Sequence, residues 1–127
     1  MTKLQLSRLR QTIRSLKARR NTLEHIAMAH RPMVAASFIK RYFRQTGVTA
    51  YFLSIPTPQN SWHRYVRKDE FDYYRQRAAA WSEFTNGMAE WVRINKEIEK
   101  LLRKLGKGRC EKLEIRRRSK GRKPTGR

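Results

Sequence analysis

The sequence predicts an α+β fold: two long antiparallel helices forming a coiled-coil-like hairpin, joined by a small β-meander and followed by a flexible basic C-terminal tail. Three observations predict it. Apolar residues recur at three-four spacing in residues 2–30 and again from 69 to 105, the signature of a helix that buries one stripe. Residues 33–68 are instead rich in aromatic and β-branched residues, punctuated by Gly47, Pro56 and Pro58. Beyond residue 105 the charge persists while apolar residues become sparse. A chain of 127 residues suffices for one modest core, so residues 1–105 form a single helix–meander–helix domain and 106–127 its tail.

In the first helix Leu6, Leu9, Ile13, Leu16, Leu23 and Ala27 make the stripe, with Arg20 interrupting one seam position. Arg8, Arg10, Arg14, Lys17 and Arg19 occupy the other faces, and Pro32 forbids continuation. In the middle, "TAYFLSI" and "SWHRYVR" flank the turn "PTPQN" and predict a β-hairpin. "MVAASFIKRYF" fits a helical period through Phe38, Ile39, Tyr42 and Phe43, yet a third strand is the preferred reading. From residue 69, Phe71, Tyr74, Ala78, Trp81, Thr85, Met88, Trp91, Asn95, Ile98, Leu102 and Leu105 define a helix about 55 Å long at roughly 1.5 Å per residue. Asp69 stands at the expected N-cap, with Glu70 and Asp72 in the first turn where negative charge complements the helix dipole. Gly106 and Gly108 are expected to end this helix.

The strongest compositional fact is a net charge of +21, with 20 arginines and 11 lysines against 10 acids. It divides unevenly. Residues 1–68 carry 14 basic residues and one acid, Glu24; residues 69–105 carry seven of each; residues 106–127 carry ten basic and two acidic residues. A polyanion is therefore expected to meet the flanks, and the neutral second helix to serve as scaffold. The lone Cys110 excludes an intrachain disulfide, and "MTKLQLSRLR" has no continuous apolar segment of a secretory leader. No stretch is apolar enough for a membrane span, so a cytoplasmic protein without membrane partners is expected.

The strings "MVAASFIKRYFRQTG", "YFLS" and "RYVRKDEFDYYRQRAAAWSEFTNGMAEWVRINKEIEKLLRKL" resemble a family of small uncharacterised prokaryotic proteins with a domain of unknown function. The counterparts of its motifs are Ala36-Ser37-Phe38, Arg41-Tyr42, Tyr51-Phe52-Leu53-Ser54 and Arg64-Tyr65-Val66-Arg67-Lys68, and the resemblance covers about residues 33–105. The family's cysteine cluster would fall near Gln45-Thr46-Gly47, where no cysteine stands, so no metal or redox role carries over. The family's occurrence near mobile elements implies a nucleic-acid context, with DNA slightly favoured over RNA.

The residues themselves point the same way. His25, His30 and His63 share no metal-ligand or general-base spacing, and the chain lacks a P-loop or dinucleotide fingerprint, so neither catalysis nor a cofactor nor a metal is expected. Arg10, Arg14, Lys17 and Arg20 recur three or four apart and predict a basic ridge for phosphates. On the strand "SWHRYVR", Trp62, Arg64 and Val66 point one way and His63, Tyr65 and Arg67 the other. Tyr65 with Arg67, His63 and a neighbour from Tyr51 or Lys40 suits a base and its phosphate, unless these aromatics are simply core. Lys40, Arg41, Arg44, Arg64 and Lys68 complete the basic meander, and Arg116, Arg117, Arg118, Lys120, Arg122 and Lys123 the tail contacts, which discriminate little between polyanions. Trp81, Phe84, Trp91 and Val92 cover more angle than one partner helix needs, which predicts a homodimer or docking onto a larger nucleoprotein complex. The expectation is a nucleic-acid-binding accessory protein, possible mobile-element origin included; the alternative is a helical protein–protein adaptor.

Overall fold

The computed structural model describes residues 1–113, so the expected tail contacts from Arg116 to Lys123 lie outside the described residues. The element order is α1 (Lys3–Met28), β1 (Ser37–Phe43), β2 (Val48–Pro56), β3 (Ser61–Val66), a 3-10 turn (Lys68–Glu70) and α2 (Phe71–Arg109). The fold is α+β: one three-stranded antiparallel sheet in the order β1-β2-β3, and two helices of 26 and 39 residues.

Helix α1 begins with a reciprocal cap. The Gln5 N–H donates to Thr2 Oγ1 at 3.2 Å, and the Thr2 N–H to Gln5 Oε1 at 2.9 Å. Its stripe then meets α2 at alternating steps of three and four residues. Inward positions are Leu6, Leu9, Ile13, Leu16, Arg20, Leu23 and Ala27 on α1, and Phe84, Gly87, Trp91, Ile94, Ile98, Leu101, Leu105 and Gly108 on α2. Ile13, Leu23, Ile94, Ile98 and Leu105 form the buried cluster, with Leu6, Leu9, Leu16, Trp91 and Leu101 packed against it. Contacts run in opposite order along the two helices, from Gly108 beside Met1 and Leu6 to Glu83 beside Arg31.

The α2 stripe expected from the sequence is displaced by one position along much of its length, for Thr85 and Leu102 are exposed. Several neighbouring columns of α2 are apolar, and α1 takes the column that contains Gly87 and Gly108. A missing side chain lets the partner approach: Leu23 Cδ2 lies 3.7 Å from where a Gly87 Cβ would stand. At Gly108 the approach is closer, with Met1 Sδ at 2.7 Å and Leu6 Cδ2 at 3.2 Å from the corresponding position.

That packing holds Gly108 within the helix, although Gly106 stands in open space. α2 passes the boundary expected at residue 105 and stops at Arg109, where the Cys110 N–H donates to the Lys107 carbonyl at 3.2 Å. Cys110 is thus the C-cap residue, exposed, with its thiol donating to the Gly106 carbonyl at 3.3 Å.

The sheet packs on the first half of α2. Ala36, Leu53, Val66 and Ala78 form a second buried cluster, and Leu53 is only 1% exposed. Register places Phe38, Leu53 and Arg64 abreast, then Lys40, Tyr51 and Val66, so these residues share the inner face. Phe38, Tyr51 and Phe71 close one end of this core as an aromatic triad, with ring centroids 4.7–5.5 Å apart. The β1–β2 turn depends on Gly47 at φ +67°, whose N–H donates to the Phe43 carbonyl at 2.8 Å.

The start of α2 differs in detail from the sequence expectation. Asp69 makes no cap hydrogen bond and lies exposed in the 3-10 turn; Glu70, the N-cap residue of α2, makes none to that helix and instead accepts the Arg67 N–H at the start of the 3-10 turn at 3.2 Å.

Two outcomes test this packing. Gly106 has open space around it, so Gly106→Ala raises stability by about 0.5–1 kcal/mol in chemical denaturation, whereas Gly108→Ala gains nothing because its methyl displaces Met1 and Leu6. The second concerns Arg19 and Glu90, paired through two hydrogen bonds at 2.7 and 2.9 Å across the helix flank. The hydrogen bond from Arg19 holds the Glu90 carboxyl below the usual glutamate value. Its contribution is therefore present at neutral pH and lost as pH falls through the folded value. Glu90→Gln is expected to destabilise at about pH 7 and to cost progressively less in urea denaturation toward about pH 3.

Candidate nucleic-acid interface

Helical periodicity sorts the basic residues of α1 into three groups. Arg19 faces α2 and is matched by Glu90. Arg20, expected on the ridge, lies within the seam: its Nη1 donates to Asn95 Oδ1 at 3.0 Å, and its Nε lies 3.8 Å from Glu24. A polar pair at a seam position fixes register better than another leucine, because any slip leaves both groups unpaired. Arg20 is thereby withdrawn from the surface array. Arg10, Arg14 and Lys17 remain exposed on one flank, and among the described residues none has an acidic partner within 4.0 Å.

The meander divides its basic residues by strand parity. Arg64 turns inward, where its guanidinium hydrogen-bonds the Tyr74 hydroxyl, stands 4.8 Å from that ring's centre, and reaches Glu70 Oε2 at 3.3 Å. Hydrogen bonding to Tyr74 raises the Arg64 pKa above its ordinary value. This arginine joins β3 to α2, a structural role that the sequence did not suggest. Lys40 is exposed but shares the inner parity with Tyr51, and Tyr51 is committed to the aromatic triad. Lys40 does not line the cleft beside Tyr65, whereas Tyr51 does, from the triad side.

The outer face supplies different neighbours. Ile39, Phe52 and Tyr65 lie abreast across the three strands, Arg41 pairs with Ala50, and His63 with Ser54. Tyr65 is 56% exposed and meets Phe52 edge-on at 5.7 Å between centroids. Arg41 Cζ stands 5.4 Å from the centre of the Phe52 ring. Phe43 and Val48 extend this exposed face toward the Gly47 turn, and Arg44 lies in the turn itself. Phe52 and Ile39 were missed by sequence reasoning, although alternation along "TAYFLSI" separates Phe52 from Tyr51 and Leu53. The expectation that these aromatics are core fits Tyr51 but not Tyr65, nor Trp62, which is 57% exposed at the β3 end.

Where β3 stops, β2 runs on and leaves a cleft of about 500 Å³ whose lining includes Tyr51 and Phe71 from the aromatic triad as well as Tyr65, Arg67, Lys68 and Asp72. Arg67 is exposed and only loosely paired, 3.6 Å from Glu70 and 4.0 Å from Asp69. Lys68 is exposed in the 3-10 turn. Among the described residues no three His, Cys, Asp or Glu side chains converge as a metal site, and no helix is long and apolar enough to cross a membrane.

The expected protein-contact residues also separate. Trp91 packs against the helix–helix core with its indole Nε1 buried and unpartnered among the described residues, and Phe84 shares that inward register. Trp81 stacks on Phe84 at 5.8 Å and 24°, half-buried, while Val92 is exposed. Trp91 is thus spent within the chain, since it stands on the column of α2 that α1 covers.

No family model matches the chain, and neither curated proteins nor solved structures give a match. Arg64→Gln tests the partition of charge directly. It is expected to lower Tm while leaving affinity for any polyanion unchanged at temperatures well below that transition, as followed by circular dichroism and fluorescence anisotropy.

Proposed function

We propose that the protein is a non-enzymatic nucleic-acid-binding accessory protein that holds the phosphate backbone through Arg10, Arg14 and Lys17 on α1 and through Arg41, Arg67 and Lys68 around the sheet. The observation that carries this reading is selective pairing. Arg19 and Arg20 on α1 and Arg64 on the sheet have partners in Glu90, Asn95, Glu70 and Tyr74, whereas the α1 ridge has no acidic partner among the described residues. Like charges on one flank repel, and a polyanion that releases its counterions relieves that repulsion.

The helical hairpin, closed at one end by the meander, is the scaffold that sets these groups at fixed spacing. Arginine predominates on the sheet, and its planar fork suits phosphate oxygens better than a lysine point charge. The ten basic residues between 106 and 127 add sequence-independent affinity by the same mechanism. The resemblance to a prokaryotic family near mobile elements supports a DNA context. A cytoplasmic location follows from that context.

A second reading, an adaptor docked on a larger nucleoprotein complex, rests on the stacked Trp81–Phe84 pair. It predicts damage at Trp81; Trp91 cannot serve as its reporter, since truncation there opens the helix–helix core.

The decisive experiment is a salt series with the triple variant Arg10→Gln, Arg14→Gln, Lys17→Gln. Each lost phosphate contact lowers the slope of log affinity against log salt by about 0.7–0.9, so a drop of about 2–3 is expected with helicity unchanged. An unchanged slope assigns the binding to other residues and removes α1 from the interface.

A further inference from the structure

We infer that the outer face of the sheet is a base-stacking platform that selects unpaired strands, with Tyr65 as the ring that receives a base and Arg41 and Arg67 as phosphate contacts. The inference rests on the nucleic-acid reading above and names which form of nucleic acid the sheet takes.

The composition of this face is unusual for its position. An antiparallel sheet covered on one side ordinarily turns polar residues to water on the other. Here Ile39, Phe43, Val48, Phe52 and Tyr65 face outward, and Phe43, Val48 and Tyr65 are exposed. Such a surface calls for a partner, and its charge says which kind. No acid occurs between Glu24 and Asp69 in the sequence, so the strands give this face only Arg41, His63 and Tyr65 as ionisable groups; Arg67 beside them lies 4.0 Å from Asp69 and 3.6 Å from Glu70. A second copy of the chain would set these cations against themselves. A partner with flat apolar faces strung on a regular anionic backbone matches both features, and that is a single strand of nucleic acid.

Geometry supports the same partner. Phe52 is held between Arg41 at 5.4 Å and the edge of Tyr65 at 5.7 Å, so it acts as a wall that orients Tyr65. Tyr65 opens on the cleft of about 500 Å³ whose rim carries Arg67 and Lys68, with the single carboxylate of Asp72 opposite. A base on Tyr65 thus places its phosphate beside Arg67 and Lys68. A duplex cannot use this surface, because its bases are stacked on each other and present edges rather than faces. An anionic membrane would also accept exposed apolar side chains such as Phe43 and Val48, and the vesicles in the test separate it from a strand.

The test uses the full chain with Tyr65→Ala and Tyr65→Trp, and four probes: a deoxythymidine strand of about 12 nucleotides, an abasic strand of equal length, a duplex, and phosphatidylserine-containing vesicles. Tyr65→Ala is expected to weaken the deoxythymidine strand about tenfold or more at unchanged salt slope, with the abasic strand and duplex altered less than about twofold. Tyr65→Trp, which keeps a stacking ring, is expected to retain wild-type affinity. Equal effects of Tyr65→Ala on all nucleic acids, or none on the deoxythymidine strand, overturn the platform while leaving backbone binding by α1 standing. Vesicle binding that depends on Tyr65 when strand binding does not assigns the face to lipid and overturns it as well. Absence of binding to every nucleic acid sinks both this inference and the reading beneath it.

Discussion

The register of α1 on α2 is the constraint from which the rest of the structure follows. It is set by apolar side chains at alternating three and four spacing, by two glycines that admit the partner helix, and by one polar pair, Arg20 with Asn95. The apolar contacts supply most of the affinity between helices but tolerate slippage, since one leucine resembles the next. The polar pair does not tolerate it, because a shift of either helix strands a half-buried guanidinium and an amide. Once that register is fixed, Arg19 meets Glu90 and Arg31 meets Glu83, and Arg10, Arg14 and Lys17 are left on the outside.

The same register governs the division of charge. Almost all acids of the described chain belong to α2 or the turn before it, and several are consumed by specific arginines: Glu83, Glu90 and Glu70 by Arg31, Arg19 and Arg64, and Glu99 by Arg103 within the helix. Exposed pairs of this kind contribute little stability each. Their consequence is to neutralise those particular arginines. Cations on the α1 flank and the outer sheet face are left as a surface of one sign, which is the property that a polyanion-binding protein requires.

The sheet adds a second property, an apolar surface that is not core. Three strands need only one covered face to be stable, and α2 covers it through Leu53, Val66 and Ala78. Nothing in the folding of the sheet requires Phe52 and Tyr65 on the other side. Side chains that cost solubility and are not needed for the core are most economically explained by binding.

Much of this was legible in the sequence. The α+β class, the helix and strand order, the meander and the neutral character of α2 all follow from periodicity, turn residues and charge counts, which are local properties of the chain. The choice of apolar column on α2 was not legible, because α2 offers several and only the approach of α1 across Gly87 and Gly108 decides among them. For the same reason the sequence could mark Arg20 as a break in the stripe without disclosing Asn95, 75 residues away, as its partner. Strand parity told which residues of β3 share a face, but cross-strand register, set by the turn lengths, decided that Phe52 stands directly opposite Tyr65 and Tyr51 opposite Val66. The sequence by itself determined which elements form and how much charge they carry. Tertiary structure decided which charges are paired and which face water, because pairing depends on distances between elements that no local pattern encodes.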